Sequence, residues 1–162
     1  MTSLPEQITI LVASDGSWIR DQVRLAFVGP GHDVLEVASG QEVRDLVAEH
    51  SPDLVILDLQ IGNMGGIAVA LDLHLEAAAW RLDPVPMILL LDREADRFLA
   101  QRTEAAASLV KPVDAMTLRR TAAEVLDEWV HPSVTPEPAV SEQAVEQAVS
   151  EQEGDEASTT IS

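Results

Sequence analysis

Residues 53–66 read DLVILDLQIGNMGG, and this stretch decides the fold. Its four consecutive apolar residues, Leu54 to Leu57, have the length of a strand and show no alternation, which is typical of a strand buried on both faces. The run ends on the ionisable Asp58. Because ionisable side chains are seldom buried for packing, the stretch predicts a parallel strand that carries a functional carboxylate at its carboxyl end.

Similar apolar runs lie on both sides of this stretch. The five predicted strands are Ile8 to Ala13, Val34 to Ala38, Leu54 to Leu57, Met87 to Leu91 and Leu109 to Val110. Each is followed by a polar or glycine-containing turn and then by apolar residues at helical spacing. The order predicts five β-α units that form an open parallel α/β sandwich, with helices covering both faces of one sheet.

The helical spacing predicts one apolar face for each clearly periodic helix. These faces are Ile19, Val23, Ala26 and Phe27 in the first helix, Val43, Leu46 and Val47 in the second, and Leu118, Ala122, Val125, Leu126 and Trp129 in the last. The helix after the fourth strand is expected to be short.

Composition excludes several classes of protein. The 162 residues include 46% apolar residues and no cysteine, so a core can form while disulfide frameworks and thiolate zinc sites are ruled out. The net charge of -18 repels nucleic acids and anionic membranes, so neither is an expected partner. With no apolar leader and no spanning run in the sequence, we expect a cytoplasmic protein.

The last 32 residues differ from the rest of the chain. After Pro132, Pro136 and Pro138, the segment SEQAVEQAVSEQEGDEASTTIS is rich in acids and contains neither Lys nor Arg. Such a composition predicts disorder. We therefore divide the chain into a folded domain, residues 1–130, and a disordered acidic tail, residues 131–162.

Three polar signals follow predicted strands: Asp15 after the first, Asp58 at the end of the third and Lys111 after the fifth. In an open parallel sheet, functional groups collect at the carboxyl ends of the strands, close to the point where strand order reverses. Carboxylate oxygens bind Mg²⁺, and an ammonium group binds an anion. The pattern therefore predicts a magnesium and phosphoryl site.

At these residues the sequence resembles the receiver domain of two-component response regulators, over roughly residues 7–129. The resemblance rests on DLVILDLQIGNMGG, where Met64 and Gly66 keep the family's spacing, and on LVKPVD at residues 109–114. It implies a flavodoxin-like (βα)5 fold, a doubly wound parallel five-stranded sheet. It also implies that Asp58 accepts a phosphoryl group from a sensor histidine kinase or a phosphotransfer protein, and that Lys111 contacts this group.

The resemblance also implies a metal site, and here the sequence departs from the family. Mg²⁺ would be bound by Asp15, Asp58 and the backbone carbonyl of Gln60. The family's usual acidic pair is here Ser14 and Asp15, so one carboxylate is missing and weak binding is expected.

The family changes conformation on phosphorylation through two residues that move, a hydroxyl residue and an aromatic residue, and the resemblance implies that both are substituted here. The hydroxyl residue expected at the end of the fourth strand is replaced by Leu91, or by Asp92 if the alignment shifts by one residue. Asp92 would then face the phosphoryl pocket or cap the next helix. The aromatic residue expected in the fifth strand is Ser108. Phosphorylation of Asp58 is therefore expected to cause less conformational change than in ordinary receivers.

Two functions remain open on the sequence. The first is a single-domain receiver in phosphorelay signalling that acts through protein contacts, across the face built by the fourth helix, the fifth strand and the fifth helix. The alternative is a pseudo-receiver, an unphosphorylated interaction module with a degenerate pocket. An enzyme is not expected, because no nucleophile and base pair, no histidine ligand spacing and no phosphate-loop motif occur.

Overall fold

The computed structural model describes residues 7–130. The regular elements alternate along the chain. They are β1 (Ile8–Ala13), α1 (Ser17–Ala26), β2 (His32–Val37), α2 (Val43–His50), β3 (Leu54–Asp58), α3 (Gly66–Ala78), β4 (Met87–Leu91), α4 (Arg97–Ala100), β5 (Ala107–Val110) and α5 (Ala115–Val130). Short 3-10 helices, Gly40–Glu42 and Glu94–Asp96, precede α2 and α4.

The five strands form one sheet in the order β2-β1-β3-β4-β5, and every pairing is parallel. The chain first moves from β1 outward to β2, then returns to the other side of β1 and continues to β5. The order therefore reverses between β1 and β3, where ligands bind in open α/β sheets. The predicted doubly wound, flavodoxin-like fold is confirmed.

Two hydrophobic clusters cover the two faces of the sheet. Alternate strand residues divide between them: Leu57 and Leu89 belong to one cluster, and Ile56 and Ile88 belong to the other. Helices α2 and α3 pack on the first cluster, and α1 and α5 pack on the second. Because both faces are covered, all five residues of β3 and all five of β4 are buried, which explains their unbroken apolar sequences.

Some boundaries differ from the prediction. Strand β2 runs from His32 to Val37, earlier than the predicted Val34 to Ala38, and β5 begins at Ala107 instead of Leu109. The first residues of β5 are the small Ala107 and Ser108, which carry little apolar signal even though they pair with β4. The short fourth helix is confirmed, because α4 has four residues.

The predicted apolar face of α5 packs on the core through its first four residues. Leu118, Ala122 and Val125 are buried and Leu126 is partly buried, whereas Trp129 is 40% exposed. Trp129 lies one helical turn beyond Val125, so it extends the apolar face past the core.

Within residues 7–130, no helix is both long and apolar enough to cross a membrane. The predicted tail, residues 131–162, and the first six residues lie outside the described part of the chain. The division into a domain of residues 1–130 and a disordered tail therefore stays a prediction.

Gly66 lets α3 start directly against the end of β3. A Cβ at this position would lie 2.2 Å from the carbonyl oxygen of Asp58, a backbone atom that cannot move away without shifting the strand. At the neighbouring Gly65, a Cβ would meet nothing closer than 3.5 Å. Position 66, which keeps the family's spacing, thus requires glycine, because a side chain there would collide with the backbone of the predicted phosphoacceptor Asp58.

We predict that Gly66→Ala lowers the free energy of unfolding, measured by urea denaturation, by about 1–3 kcal/mol, the usual cost of overpacking. This loss would appear although alanine is intrinsically the better helix former. Gly65→Ala is the matched control and should be close to neutral. Equal stabilities of the two variants would contradict the proposed close approach.

Candidate functional site

The candidate site lies at the carboxyl edge of the sheet. Asp58 is the last residue of β3, Ser14 follows β1, Asp92 follows β4 and Lys111 follows β5. Since β1 and β4 are the two neighbours of β3, their ends flank Asp58. The structure therefore brings the predicted Asp58 and Lys111 together at the predicted edge.

The carboxylate of Asp58 is buried, with 3% of the residue exposed, and both its oxygens accept hydrogen bonds. Oδ1 accepts from Lys111 Nζ at 2.5 Å and from the backbone N–H of Gln60 at 3.3 Å. Oδ2 accepts from the Ser14 hydroxyl at 2.7 Å. A buried carboxylate is stable only with such partners, so these contacts hold Asp58 in a single orientation.

Ser14 is a direct partner of Asp58, which the sequence analysis did not predict. Its side chain is completely buried, and its hydroxyl oxygen also accepts from the backbone N–H of Gly16 at 3.1 Å. The position was predicted only as a missing carboxylate. The structure shows that a neutral donor stands there and hydrogen-bonds the acidic group on the neighbouring strand.

Lys111 bridges two carboxylates. Its ammonium lies 2.5 Å from Asp58 Oδ1 and 2.8 Å from Asp92 Oδ1, and its side chain is 11% exposed. Burial lowers the pKa of Lys111, but the hydrogen bonds to Asp58 and Asp92 outweigh it, so the pKa is raised above its ordinary value. The Lys111–Pro112 peptide is cis.

The end of β4 places Asp92, and not Leu91, at the pocket. Leu91 is completely buried in the hydrophobic cluster beneath α2 and α3. Asp92 contacts Lys111 through Oδ1, while its Oδ2 is buried and has no hydrogen-bond partner among the described residues. The alternative that Asp92 caps the following helix is wrong, because Asp96 accepts the hydrogen bond from the backbone N–H of Arg93 at 3.0 Å.

Ser108, at the position expected to hold the aromatic switch residue, contacts the fourth helix. Its carbonyl and hydroxyl oxygens accept hydrogen bonds from Arg97 Nη1 at 3.2 and 3.4 Å. Ser108 therefore joins β5 to the start of α4 through a charged side chain.

The remaining predicted metal ligands are more open. Asp15 is exposed and lies beside Gly62, since a Cβ added to Gly62 would be 3.8 Å from Asp15 Oδ2. Gln60 is exposed and contacts Asp58 through its backbone N–H. Among residues 7–130, no group of three or more His, Cys, Asp or Glu side chains could hold a metal ion. The predicted Mg²⁺ ligands are of a different composition, because they are the two carboxylates of Asp15 and Asp58 and the backbone carbonyl of Gln60.

Comparison with known proteins agrees with this geometry. The family model of the response regulator receiver domain matches residues 10–123. The chain belongs to this family. Receiver domains are signalling modules that interact with histidine kinases or phosphotransfer proteins and generally bind Mg²⁺ at their acidic pocket.

Individual relatives support the assignment. The transcriptional regulatory protein AfsQ1 of Streptomyces coelicolor is 31% identical over 112 residues, and the match covers 68% of this chain and 47% of AfsQ1. The protein PilH of Pseudomonas aeruginosa is 31% identical over 96 residues, which cover 59% of this chain and 78% of PilH. The chain thus spans about half the length of AfsQ1 and more of PilH.

A solved CheY-like receiver domain protein from Methanospirillum hungatei has the same fold. It superposes with a TM-score of 0.66 and 20% identity, and the match covers 75% of this chain and 95% of that one.

We predict that deprotonation of Lys111 at high pH lowers the free energy of unfolding. The chain has one lysine and no tyrosine or cysteine, and arginine does not deprotonate between about pH 9 and 12. Because the pKa of folded Lys111 is raised, its stabilising contribution is complete below the ordinary value of 10.5 and is lost as the pH rises through the higher folded pKa.

The measurement is urea unfolding of the wild type and of Lys111→Met across this range. The wild type should lose stability above the ordinary lysine pKa, while Lys111→Met should show a nearly constant free energy of unfolding. Parallel curves for the two proteins would contradict the ion bridge.

Proposed function

We propose that this receiver accepts a phosphoryl group on Asp58 from a phosphohistidine of a sensor histidine kinase or a phosphotransfer protein. The observation that carries this proposal is the contact of 2.5 Å between the Lys111 ammonium and the buried Asp58 carboxylate at the carboxyl edge of the sheet. An acid of this kind, held in one orientation beside a cation, is suited to be a nucleophile toward phosphorus.

In the proposed transfer, a carboxylate oxygen of Asp58 attacks phosphorus and a P–O bond forms. The P–N bond to the imidazole breaks, and the ring nitrogen keeps its electron pair. Lys111 neutralises negative charge on the phosphoryl oxygens, and the backbone N–H of Gln60 keeps Asp58 Oδ1 in place. Transfer of a phosphoryl group depends mainly on such positioning and charge stabilisation.

The residues present also fit a Mg²⁺ ion. Asp15, Asp58 and the backbone carbonyl of Gln60 would hold it, and all three offer the oxygen donors that Mg²⁺ requires. Bound there, the ion supplies positive charge for the phosphoryl oxygens. Asp58 Oδ2 already accepts a hydrogen bond of 2.7 Å from the Ser14 hydroxyl, so a bound ion would share this oxygen with the hydroxyl, which supports weak binding.

The pseudo-receiver remains the second candidate, and one observation favours it. Both oxygens of Asp58 already have hydrogen-bond donors from this chain: Ser14, Lys111 and the backbone of Gln60. The Asp58 carboxylate is therefore stabilised by this chain alone, without a metal or a phosphoryl group. As a pseudo-receiver, the chain would contribute only protein contacts.

Downstream signalling is proposed to run through protein contacts on the face of α4, β5 and α5. Phe98 of α4 is 56% exposed, and Met116 of α5 is 71% exposed. Exposed apolar side chains of this size are typical of protein contact sites. No enzymatic activity and no nucleic-acid partner are proposed.

The test of the proposed function is incubation with phosphoramidate and Mg²⁺, followed by intact-mass measurement. One phosphoryl adduct should form in the wild type and be lost in Asp58→Asn. The matched control, Asp127→Asn, removes the same charge from an exposed position on α5 and should be phosphorylated like the wild type. No adduct at saturating donor would favour the pseudo-receiver.

Ser14→Asp is predicted to tighten Mg²⁺ binding about ten- to a hundredfold, because it adds a negatively charged oxygen ligand beside Asp58. Titration of the protein with Mg²⁺, followed by tryptophan fluorescence or amide spectra, gives the affinity. Ser17→Asp, which adds the same charge at the exposed start of α1, controls for a general electrostatic effect. Equal gains in both variants would show that position 14 is not a ligand position.

A further inference from the structure

The path of Lys111 across the sheet explains its second partner. Strand β4 lies between β3 and β5, so the lysine that follows β5 reaches Asp58 only by crossing the carboxyl end of β4. The backbone N–H of Lys111 donates to the carbonyl of Leu91 at 2.8 Å, which places it beside the residue that follows β4. That residue is Asp92, and its Oδ1 lies 2.8 Å from the ammonium.

The pocket departs from the family pattern at two places. The resemblance places an acid at position 14, where this chain has Ser14, and a hydroxyl at the end of β4, where this chain has Leu91 as the last strand residue and Asp92 directly after it. One negative charge is thus missing beside Ser14, and one is present beside Lys111. The missing acid weakens metal binding, whereas Asp92 adds a second carboxylate beside the ammonium of Lys111.

We propose that Asp92 is a positioning residue that holds Lys111 and competes with the phosphoryl group of Asp58 for its ammonium. This inference rests on the proposed phosphorylation of Asp58. The next helix has Arg93 as its N-cap, with the Arg93 N–H bonded to Asp96, and within the described residues the ion pair of Asp92 is its contact to Lys111. A phosphoryl group would bring at least one further negative charge to an ammonium that already serves two carboxylates.

The unpartnered oxygen adds to this competition. Asp92 Oδ2 is buried without a hydrogen-bond donor among residues 7–130, so its charge is compensated mainly through the lysine. When phosphoryl oxygens take over the ammonium, the carboxylate of Asp92 is left with less compensation in a partly buried place. Asp92 therefore disfavours the phosphorylated state and keeps the unphosphorylated pocket closed by an ion bridge.

The chain offers a direct readout of the bridge, because Lys111 is its only lysine. The rate of its acetylation by an amine-reactive reagent at fixed pH can be followed by peptide mass, with the N-terminal amine as internal reference. Asp92→Asn should react several-fold faster than the wild type. Asp92→Glu, which restores the charge, and Asp127→Asn, the exposed control on α5, should react at close to the wild-type rate.

The same variants are then incubated with a limiting amount of phosphoramidate and saturating Mg²⁺. Asp92→Asn should reach a phosphorylated fraction about tenfold higher than the wild type, which corresponds to about 1.4 kcal/mol. Asp92→Ala, which removes the carboxylate and adds no hydrogen-bonding group, repeats the measurement in case the amide variant folds poorly, and it should show the same gain.

The outcomes separate this inference from the proposed function. An unchanged acetylation rate in Asp92→Asn overturns the bridge. The competition is overturned if the wild type is phosphorylated and both Asp92 variants reach an equal or lower phosphorylated fraction. A lower fraction would indicate that Asp92 assists the transfer. If no variant takes up phosphoryl, the proposed function and the competition fail together, and the acetylation rates alone decide whether Asp92 holds Lys111.

Discussion

The burial of one carboxylate is the constraint on which the rest of the site depends. Asp58 ends a strand that is buried on both faces, and an isolated charge there would be strongly destabilising. The sheet order solves this problem, since it places the end of β1 with Ser14 on one side and the end of β4 on the other. Lys111 then supplies the opposite charge from β5. Fold and site are therefore one arrangement, in which parallel strands collect the donors that this acid needs.

The identity of those donors distinguishes this chain from the family pattern. A hydroxyl from Ser14 satisfies Asp58 Oδ2 without bringing charge, whereas an acid in its place would repel Asp58 unless a cation stood between them. On the opposite side, Lys111 is shared with Asp92. Both oxygens of Asp58 thus already have donors from this chain, and a phosphoryl group would compete for the ammonium that Asp58 and Asp92 share.

The sequence predicted the fold well because its strongest signal is burial on both faces of the sheet, visible in LVILD and MILLL. It predicted Asp58 and Lys111 because polar residues at strand ends converge in a parallel sheet. It could not predict the hydrogen bond from Ser14 or the bridge to Asp92. Beyond a strand end, side-chain direction is set by the loop and not by the two-residue period, so only the three-dimensional structure distinguishes Leu91 in the core from Asp92 at the pocket. The start of β5 was missed because Ala107 and Ser108 carry no apolar pattern.

A bound group shifts a conformational equilibrium only through contacts that differ between the two states. Leu91 lies in the core and has no hydroxyl, and Ser108 is held by Arg97 and has no aromatic ring, so neither can make the movement that the family's residues make toward a phosphoryl group. The contact that would change is the one between Lys111 and Asp92, because both a carboxylate and a phosphoryl group attract the same ammonium. Asp92 directly precedes the loop and short helices that lead to α4, and Lys111 directly precedes the loop to α5. Release of this ion pair would therefore act on the two residues that lead into α4 and α5.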